Sequence, residues 1–512
     1  MLKERYRVAV GANGMVGSPR LMKPQQVQAF DAGQSGRRLK MLPTGVQDIN
    51  TLMRSYGRTV VARSRYLSRN NPQMAAAKRA YVAALVGDGI KPSSLISDPV
   101  LREALMQAYL VWTDESDADG LTDLYGQQAT VGGEMFDAGE CFARFRPRFA
   151  SDGLSVPLQV QLLPSEMLNH ADNVDLPNGL KVRSGIVFGP IGNRVAYRFY
   201  KQRPGDMNFT GEITSVPAEE VMHVFRPLEA GQIRGIPHTL SSIVRAAVMD
   251  AYDDAELERK RMAALFGAFI TSTAPEEDVL SEPAASATAA GVEGGVALEP
   301  GVTVDLEPGQ DIKFAEPADV GGNYEAFQYR GNLQVAAGAG VPYADMTGDL
   351  RQASYGSQRA GMVKFRREIA ATQNHAMIFQ FCRPVWQRWL AEAVQNGAVP
   401  LAASVYVGSE RTWQAAKFIP PKWDWIDPLK DMQAEKLAVD SGFKSRSDVV
   451  EGMGVDPEEN DRRIAADKAR EKKLGISFAT APAPAPAGNT DQPPPGHQQP
   501  GNQQQGDQQN AA

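Results

Sequence analysis

The chain has 512 residues, 43% of them hydrophobic and 22% charged, a composition that carries enough apolar mass for several cores and excludes a wholly disordered chain. Its net charge of −6, from 54 basic and 60 acidic residues, argues against a protein that grips nucleic acid by neutralising many phosphates, but leaves room for one past which nucleic acid slides. The two cysteines, Cys141 and Cys382, stand far apart and in no metal-ligand spacing, so they read as buried free thiols in a reducing compartment.

Residues 1–45 are rich in Gly, Gln and Arg without a sustained period, and read as an arm that is disordered or ordered only by partners. Their start has no apolar core of signal-peptide length, and the least polar run, Met262 to Ile270, is far short of the ~20 residues that span a bilayer. The protein is therefore expected in the cytoplasm, or in something assembled there, with no membrane partner. Asp48 to Ser68 and Pro72 to Val86 read as helices, the second started by Asn71 before a proline at N1 and ended by Gly87-Asp88-Gly89. Further helices cover Pro99 to Thr113 and Leu121 to Phe136. From Glu140 the hydrophobic period changes to two, in runs around Cys141, Leu158, Ile186, Val195 and Val221 bounded by Gly, Pro and Asn, which predicts a small β-rich subdomain.

His238 to Phe269 then reads as a helix of about nine turns, with Thr239 as N-cap and a dense charge run from Asp250 to Arg261. An Ala/Gly/Pro/Ser-rich stretch follows, with strand-like pieces at Val302–Leu306 and Ile312–Phe314 around Glu-Pro-Gly turns. Tyr324 to Ala339 is helical, and its small residues Gly331, Ala337 and Gly338 permit close packing. Gly340-Val-Pro342 must end that helix, because proline disfavours the α conformation in the residue before it. A polar stretch precedes the longest helix, Ser357 to Asn396, whose apolar residues Met377, Phe381, Val385 and Trp389 recur every four positions and which Pro384 should kink. Helical segments lie within Trp423 to Gly442 and Ser445 to Gly454. Beyond Phe478 a Gln/Pro tail without Lys, Arg, Leu, Ile or Val cannot bury a core and reads as disordered. The fold class is thus mainly α with a β-rich subdomain, an α+β chain.

No catalytic residue, metal or cofactor is expected. There is no GxxxxGK[ST] phosphate loop, no HExxH and no GxSxG elbow. The acidic run Glu115 to Gly120 resembles half an EF-hand loop, but Gly126 stands where the bidentate Glu should be, so a solvated acidic loop is the better reading. His223 lies on an apolar strand, where a satisfied core histidine is expected.

Several short stretches, in order, resemble the portal proteins of tailed bacteriophages, in the lambda-like branch: Arg69-Asn-Asn-Pro72 with Val86-Gly-Asp-Gly-Ile90; His223-Val-Phe-Arg-Pro227 with Gly231-Gln-Ile-Arg-Gly235; Tyr324-Glu-Ala-Phe327; Ala337-Gly-Ala-Gly-Val-Pro342; Ser354-Tyr-Gly-Ser-Gln-Arg-Ala360; and Trp423-Asp-Trp-Ile426. Each is weak alone; the ordered set, spread over Val46 to Gly454, is specific. The resemblance implies a dodecameric ring at one capsid vertex, assembled in the host cytoplasm and carried in the virion. Double-stranded DNA enters and leaves through it without sequence specificity. It also implies three protein partners: the terminase large subunit, which is the packaging motor, the major capsid protein, and a head-tail adaptor.

Carried onto this chain, the family's portal-type fold gives a wing over residues 46–237, a first stem helix at 238–270, a clip at 271–321 and a second stem helix at 322–341. A tunnel loop follows at 342–356, then a long kinked helix with the wing return at 357–422, crown-like helices at 423–477 and the tail at 478–512. The tunnel loop would cross toward the ring axis and present Asp349, Arg351, Gln352, Ser354 and Tyr355, a mix of charges and neutral donors that touches phosphates without holding them; the alternative is a polar surface loop between packed helices. Asp253, Asp254, Glu256 and Glu258 of the charge run would line the bore and repel DNA from the wall, against the alternative of a solvated outer face with pairs such as Glu256 with Lys260. Two competitors are a phage maturation enzyme, for which no nucleophile or metal constellation is visible, and another ring of the head-to-tail connector, which the segment order and length disfavour.

Overall fold

The computed structural model describes residues 43–264, 268–272, 310–314, 324–351, 354–423, 425 and 427–476. Most of the arm, nearly all of the 271–321 segment, Gln352 and the Gln/Pro tail lie outside the described residues. Two compact units divide the chain after Pro421.

The first unit is α+β. Helix α1 (Ile49–Asn70) starts on Asp48, whose carboxylate accepts from the Thr51 amide, and buries Ile49, Met53, Gly57, Val61 and Arg65 at four-residue spacing. A buried arginine is tolerated there because its guanidinium meets Glu134 at 2.6 Å and Glu166 at 2.5 Å. Helix α2 (Pro72–Leu85) has the cap foreseen, Asn71 accepting from the Met74 amide. Strand β1 (Lys91–Ser94) and α3 (Pro99–Thr113) follow. Helix α4 (Leu124–Asp137) begins three residues later than Leu121 because Asp123 is its N-cap. The acidic run before it is built around Asp117, whose buried carboxylate accepts from the amides of Asp119, Leu121 and Thr122 and from Gln127 Nε2. Its lone pairs are used by its own chain.

Strands β2 (Glu140–Pro147), β3 (Leu158–Pro164), β4 (Val174–Asp175), β5 (Lys181–Arg183), β6 (Ile186–Phe188), β7 (Arg194–Tyr200), β8 (Ile213–Pro217) and β9 (Val221–Phe225) make two antiparallel sheets, ordered β3-β2-β9 and β4-β5-β6-β7-β8. Between them Phe142, Leu168, Ile186, Tyr197, Phe199 and Val216 form the core.

Helix α5 (Ile243–Ala264) is shorter than the 238–270 span. Thr239 does not cap it; its hydroxyl pairs with Ser64 Oγ at 2.6 Å inside the protein. At the other end Phe269 lies in β10 (Ala268–Ser272), which pairs antiparallel with β11 (Gln310–Phe314), Phe269 opposite Lys313. The pairing is long-range, and alternation over five residues is too short to outweigh a helical run read locally. Helix α6 (Tyr324–Ala339) keeps its predicted bounds.

A short α7 (Tyr343–Thr347), then α8 (Tyr355–Thr372), a π-helical stretch Gln373–Cys382, and α9 (Arg383–Gln395) follow. The irregularity expected at Pro384 lies upstream of it: the Arg383 amide reaches Ile378 O, five residues back, so the helix has widened before the residue that lacks an N–H. Buried Trp386 and Trp389 meet Tyr109 of α3 edge-on, and Trp389 packs tilted against Trp112, with centroids 4.8–6.3 Å apart. After α10 (Ala403–Tyr406) and α11 (Glu410–Trp413), β12 (Ala416–Ile419) pairs with β1, tying the end of this unit to its beginning. Cys141 and Cys382 are both buried free thiols.

The second unit holds α12 (Pro428–Asp440), α13 (Arg446–Gly452) and α14 (Pro457–Leu474). Val450 is its buried hydrophobic residue among those described, and Lys444–Glu435 and Arg446–Asp461 ion pairs link its helices. No helix among the described residues is long and apolar enough to cross a membrane. No group of three His, Cys, Asp or Glu among them is placed to hold a metal ion.

Candidate functional site

Helices α5 and α6 pack antiparallel. Ser242 Oγ, just before α5, donates to Val335 O near the end of α6, while Asp253 further along α5 accepts from the hydroxyl of Tyr324 at the start of α6. Two of the three small residues make the approach close: a Cβ on Gly331 would stand 2.3 Å from Met249 Cε, and one on Gly338 2.5 Å from Ser242 Oγ. Ala337 is exposed and takes no part.

The four acids of the charge run separate onto two faces, because residues three or four apart share a side of a helix and adjacent ones do not. Asp253 and Glu256 turn inward. Asp253 also accepts from Gln328, and packing against α6 raises its pKa. Glu256 is buried and held by Arg259 at 2.5 Å, with Lys260 at 3.9 Å. Within the chain, then, neither of these two of the four acids expected to line a bore is exposed. Asp254 and Glu258 are exposed, Glu258 pairing with Arg261 at 2.6 Å.

After α6 the chain turns at Gly340, whose φ of +65° and closeness to the His238 ring suit a residue without Cβ. It then folds back along α6 instead of leaving it. Tyr343 packs edge-on to Tyr329 with centroids 4.9 Å apart, and Arg351 reaches Glu325, in the first turn of α6, at 2.9 Å. Asp349 and Arg351 form a bidentate pair at 3.0 Å, which holds the Asp349 carboxyl down to about 2. The two charges foreseen for the loop are therefore spent on each other and on Glu325. Ser354 is the N-cap of α8, its Oγ accepting from the Ser357 amide at 3.2 Å. Tyr355 is the first residue of α8, and Gln352 lies outside the described residues. Exposed cations stand on α8 itself, at Arg359, Lys364 and Arg367, a helix with four basic residues and one acid that sequence reading passed over.

A second cluster was legible only in fragments. Glu140, at the start of β2, accepts from Arg234 Nε at 2.8 Å and its terminal nitrogen at 2.5 Å, from the Gly235 amide at 2.7 Å, from Ser165 Oγ at 2.6 Å and from His223 Nε2 at 2.9 Å. Arg234 donates its remaining hydrogens to the carbonyls of Leu168, Ser184 and Ser165. All three ionisable side chains are buried. Burial opposes the Glu140 charge, but the guanidinium and the imidazole overcome it and hold its pKa well below the carboxylate range. His223 is neutral, its pKa lowered by burial to about 4, so its Nε2 donates and its Nδ1 accepts from Arg194. The two stretches Gly231–Gly235 and His223–Pro227, read separately in the sequence, converge on this one carboxylate.

Residues 35–373 match the phage portal proteins of the lambda family. The "Probable portal protein" of Halomonas phage phiHAP-1 is 27% identical over 327 residues, 62% of this chain and 61% of that one. "Portal protein B" of Escherichia phage lambda is 25% identical over 282 residues, 49% of each. The chain thus spans about half to three fifths of the length of these curated relatives. Among solved structures, a chain in the neck of an empty GTA particle, computed with C6 symmetry, is 16% identical with a TM-score of 0.45, covering 78% of this chain and 94% of the other.

Proposed function

This chain belongs to the lambda family of phage portal proteins, and from that premise we propose that it closes into a ring, dodecameric as in the family, at one vertex of a phage capsid and forms the channel through which DNA is packaged and ejected. The observation that carries this reading is the antiparallel α5–α6 pair, continued at Gly340 into a loop whose one arginine, Arg351, is paired with Asp349. The pair is the stem, residues 271–321 between its far ends are the clip, and residues 342–356 are the tunnel loop. Helices α1–α4 and the two sheets, with residues 357–422, are the wing. The second unit is the crown.

A channel must let a polyanion move. Each unpaired cation offered to the phosphates adds affinity by releasing counterions, and affinity multiplied around a ring would arrest the DNA. In the loop Arg351 is pinned to Asp349 and Glu325, so it offers hydrogen-bonding edges with little net charge. The exposed side chains of Arg359, Lys364 and Arg367 on α8 and of Glu258 on α5 then shape the field along the bore. The clip meets the terminase large subunit during packaging and the head-tail adaptor afterwards, while the wing contacts the major capsid protein.

Deleting Asp349 to Tyr355 tests the reading. The variant should still assemble and enter capsids while packaging or retention of DNA falls, measured as nuclease-protected DNA per particle. Normal packaging by the deletion variant would overturn the tunnel-loop assignment.

A further inference from the structure

A groove of about 660 Å³ lies between α1 and α5. Its floor is apolar, with Leu67, Ile243, Ala247 and Ala251, and its two rims carry opposite charge: Arg58 and Arg63 on α1, Asp250 and Asp254 on α5. No ion pair bridges these rims among the described residues, and Val244 and Val248 beside it are 71% and 55% exposed. On the other side of the helix pair, α6 leaves one stripe uncovered. Gly331 and Val335 face α5 and Tyr329 faces α7, whereas Ala326, Arg330, Leu333 and Ala337 are all exposed and recur at three- and four-residue steps.

We propose that the α6 stripe of one copy seats in the α1–α5 groove of the next, with Arg330 against Asp254 and Asp250. The inference rests on the ring reading and deepens it by naming the two surfaces that meet. They suit each other on three counts. The stripe is narrow, two alanines and a leucine, so a helix backbone can approach the floor. Its one charge is positive, and the α5 rim is negative. The two surfaces are different patches on different faces, which is what a head-to-tail contact needs in order to close a ring instead of a dimer. Leu333 and the alanines exclude water around the Arg330–Asp254 pair, so each charge is left buried and unmatched when the other is reversed.

The test uses the full chain. Arg330→Glu and Asp254→Arg should each abolish rings by electron microscopy and size-exclusion chromatography, and the double variant, which restores the pairing in swapped order, should recover them. A second arm replaces both positions by cysteine: mild oxidation of Asp254→Cys/Arg330→Cys should give a ladder of covalent oligomers on a non-reducing gel, since Cys141 and Cys382 are buried. Rings that survive both single reversals, together with no ladder, would overturn the proposal. So would a thiol-reactive photo-cross-linker, attached to the Asp254→Cys variant, that is found by mass spectrometry on a peptide from residues 1–42 or 477–512. Absence of rings from the unmutated protein would instead overturn the ring reading on which the proposal stands.

Discussion

Two arginine–carboxylate clusters in this chain have nearly the same short-range geometry and opposite surroundings. Arg234 meets Glu140 at 2.5 Å in the core, and Arg351 meets Asp349 at 3.0 Å on an exposed loop. In the first, every hydrogen of the guanidinium group is committed, to carboxylate or carbonyl, and water cannot replace a lost partner. In the second, the Arg351 side chain is 72% exposed, and water can take the place of a lost partner. The contrast teaches that burial, not distance, decides whether an ion pair holds the fold or shapes a surface.

The largest effect is expected from breaking the buried cluster. Glu140→Gln leaves Arg234 enclosed without a counter-charge and should cost roughly 3–5 kcal/mol, seen as a large loss of soluble protein and a lower denaturation midpoint. A smaller loss should follow Gly235→Ala, whose Cβ would stand 2.3 Å from Gly139 O; overpacking of this kind costs about 1–3 kcal/mol. Acid then sharpens the comparison. His170, His223 and His238 have pKa values lowered from 6.5 to about 3, 4 and 4 by burial. The unfolded chain therefore binds more protons than the folded one below 6.5, and stability should fall as pH drops from there toward 4. Glu140, depressed below its ordinary value of 4.5, adds stability that is present above that value and lost on further acidification. A melting temperature that stays flat between pH 7 and 4.5 would contradict the neutral, buried histidines. The smallest effect on folding belongs to Arg351→Ala, whose melting temperature should match the parent's while packaged DNA per particle falls.

Local chemistry made much of the fold legible. Asn71 before Pro72 announces a helix start, and the cap is present. What escaped was non-local. Lys-Pro-Ser-Ser carries no strand signal, yet β1 forms because β12, more than three hundred residues on, supplies its partner. Phe269 reads as the end of a helix until Lys313 is opposite it. Helix α14, whose large apolar residues are Ile464 and Leu474 and which has no buried residue, has no apolar period to betray it, although Asp456 caps it and Gly475 ends it. At the candidate site the residues of the loop were legible and their partners were not: Glu325 stands far from Arg351 in sequence, and only the fold-back of the chain joins them. The charge run could be seen but not divided, since which of Asp253 and Asp254 turns inward depends on where α6 packs.

The central claim is the ring, and end-on electron-microscopy class averages of the purified full chain test it most directly. The account predicts closed rings with a central hole and high cyclic symmetry; a monomer or compact dimer at the concentrations used for imaging would contradict it.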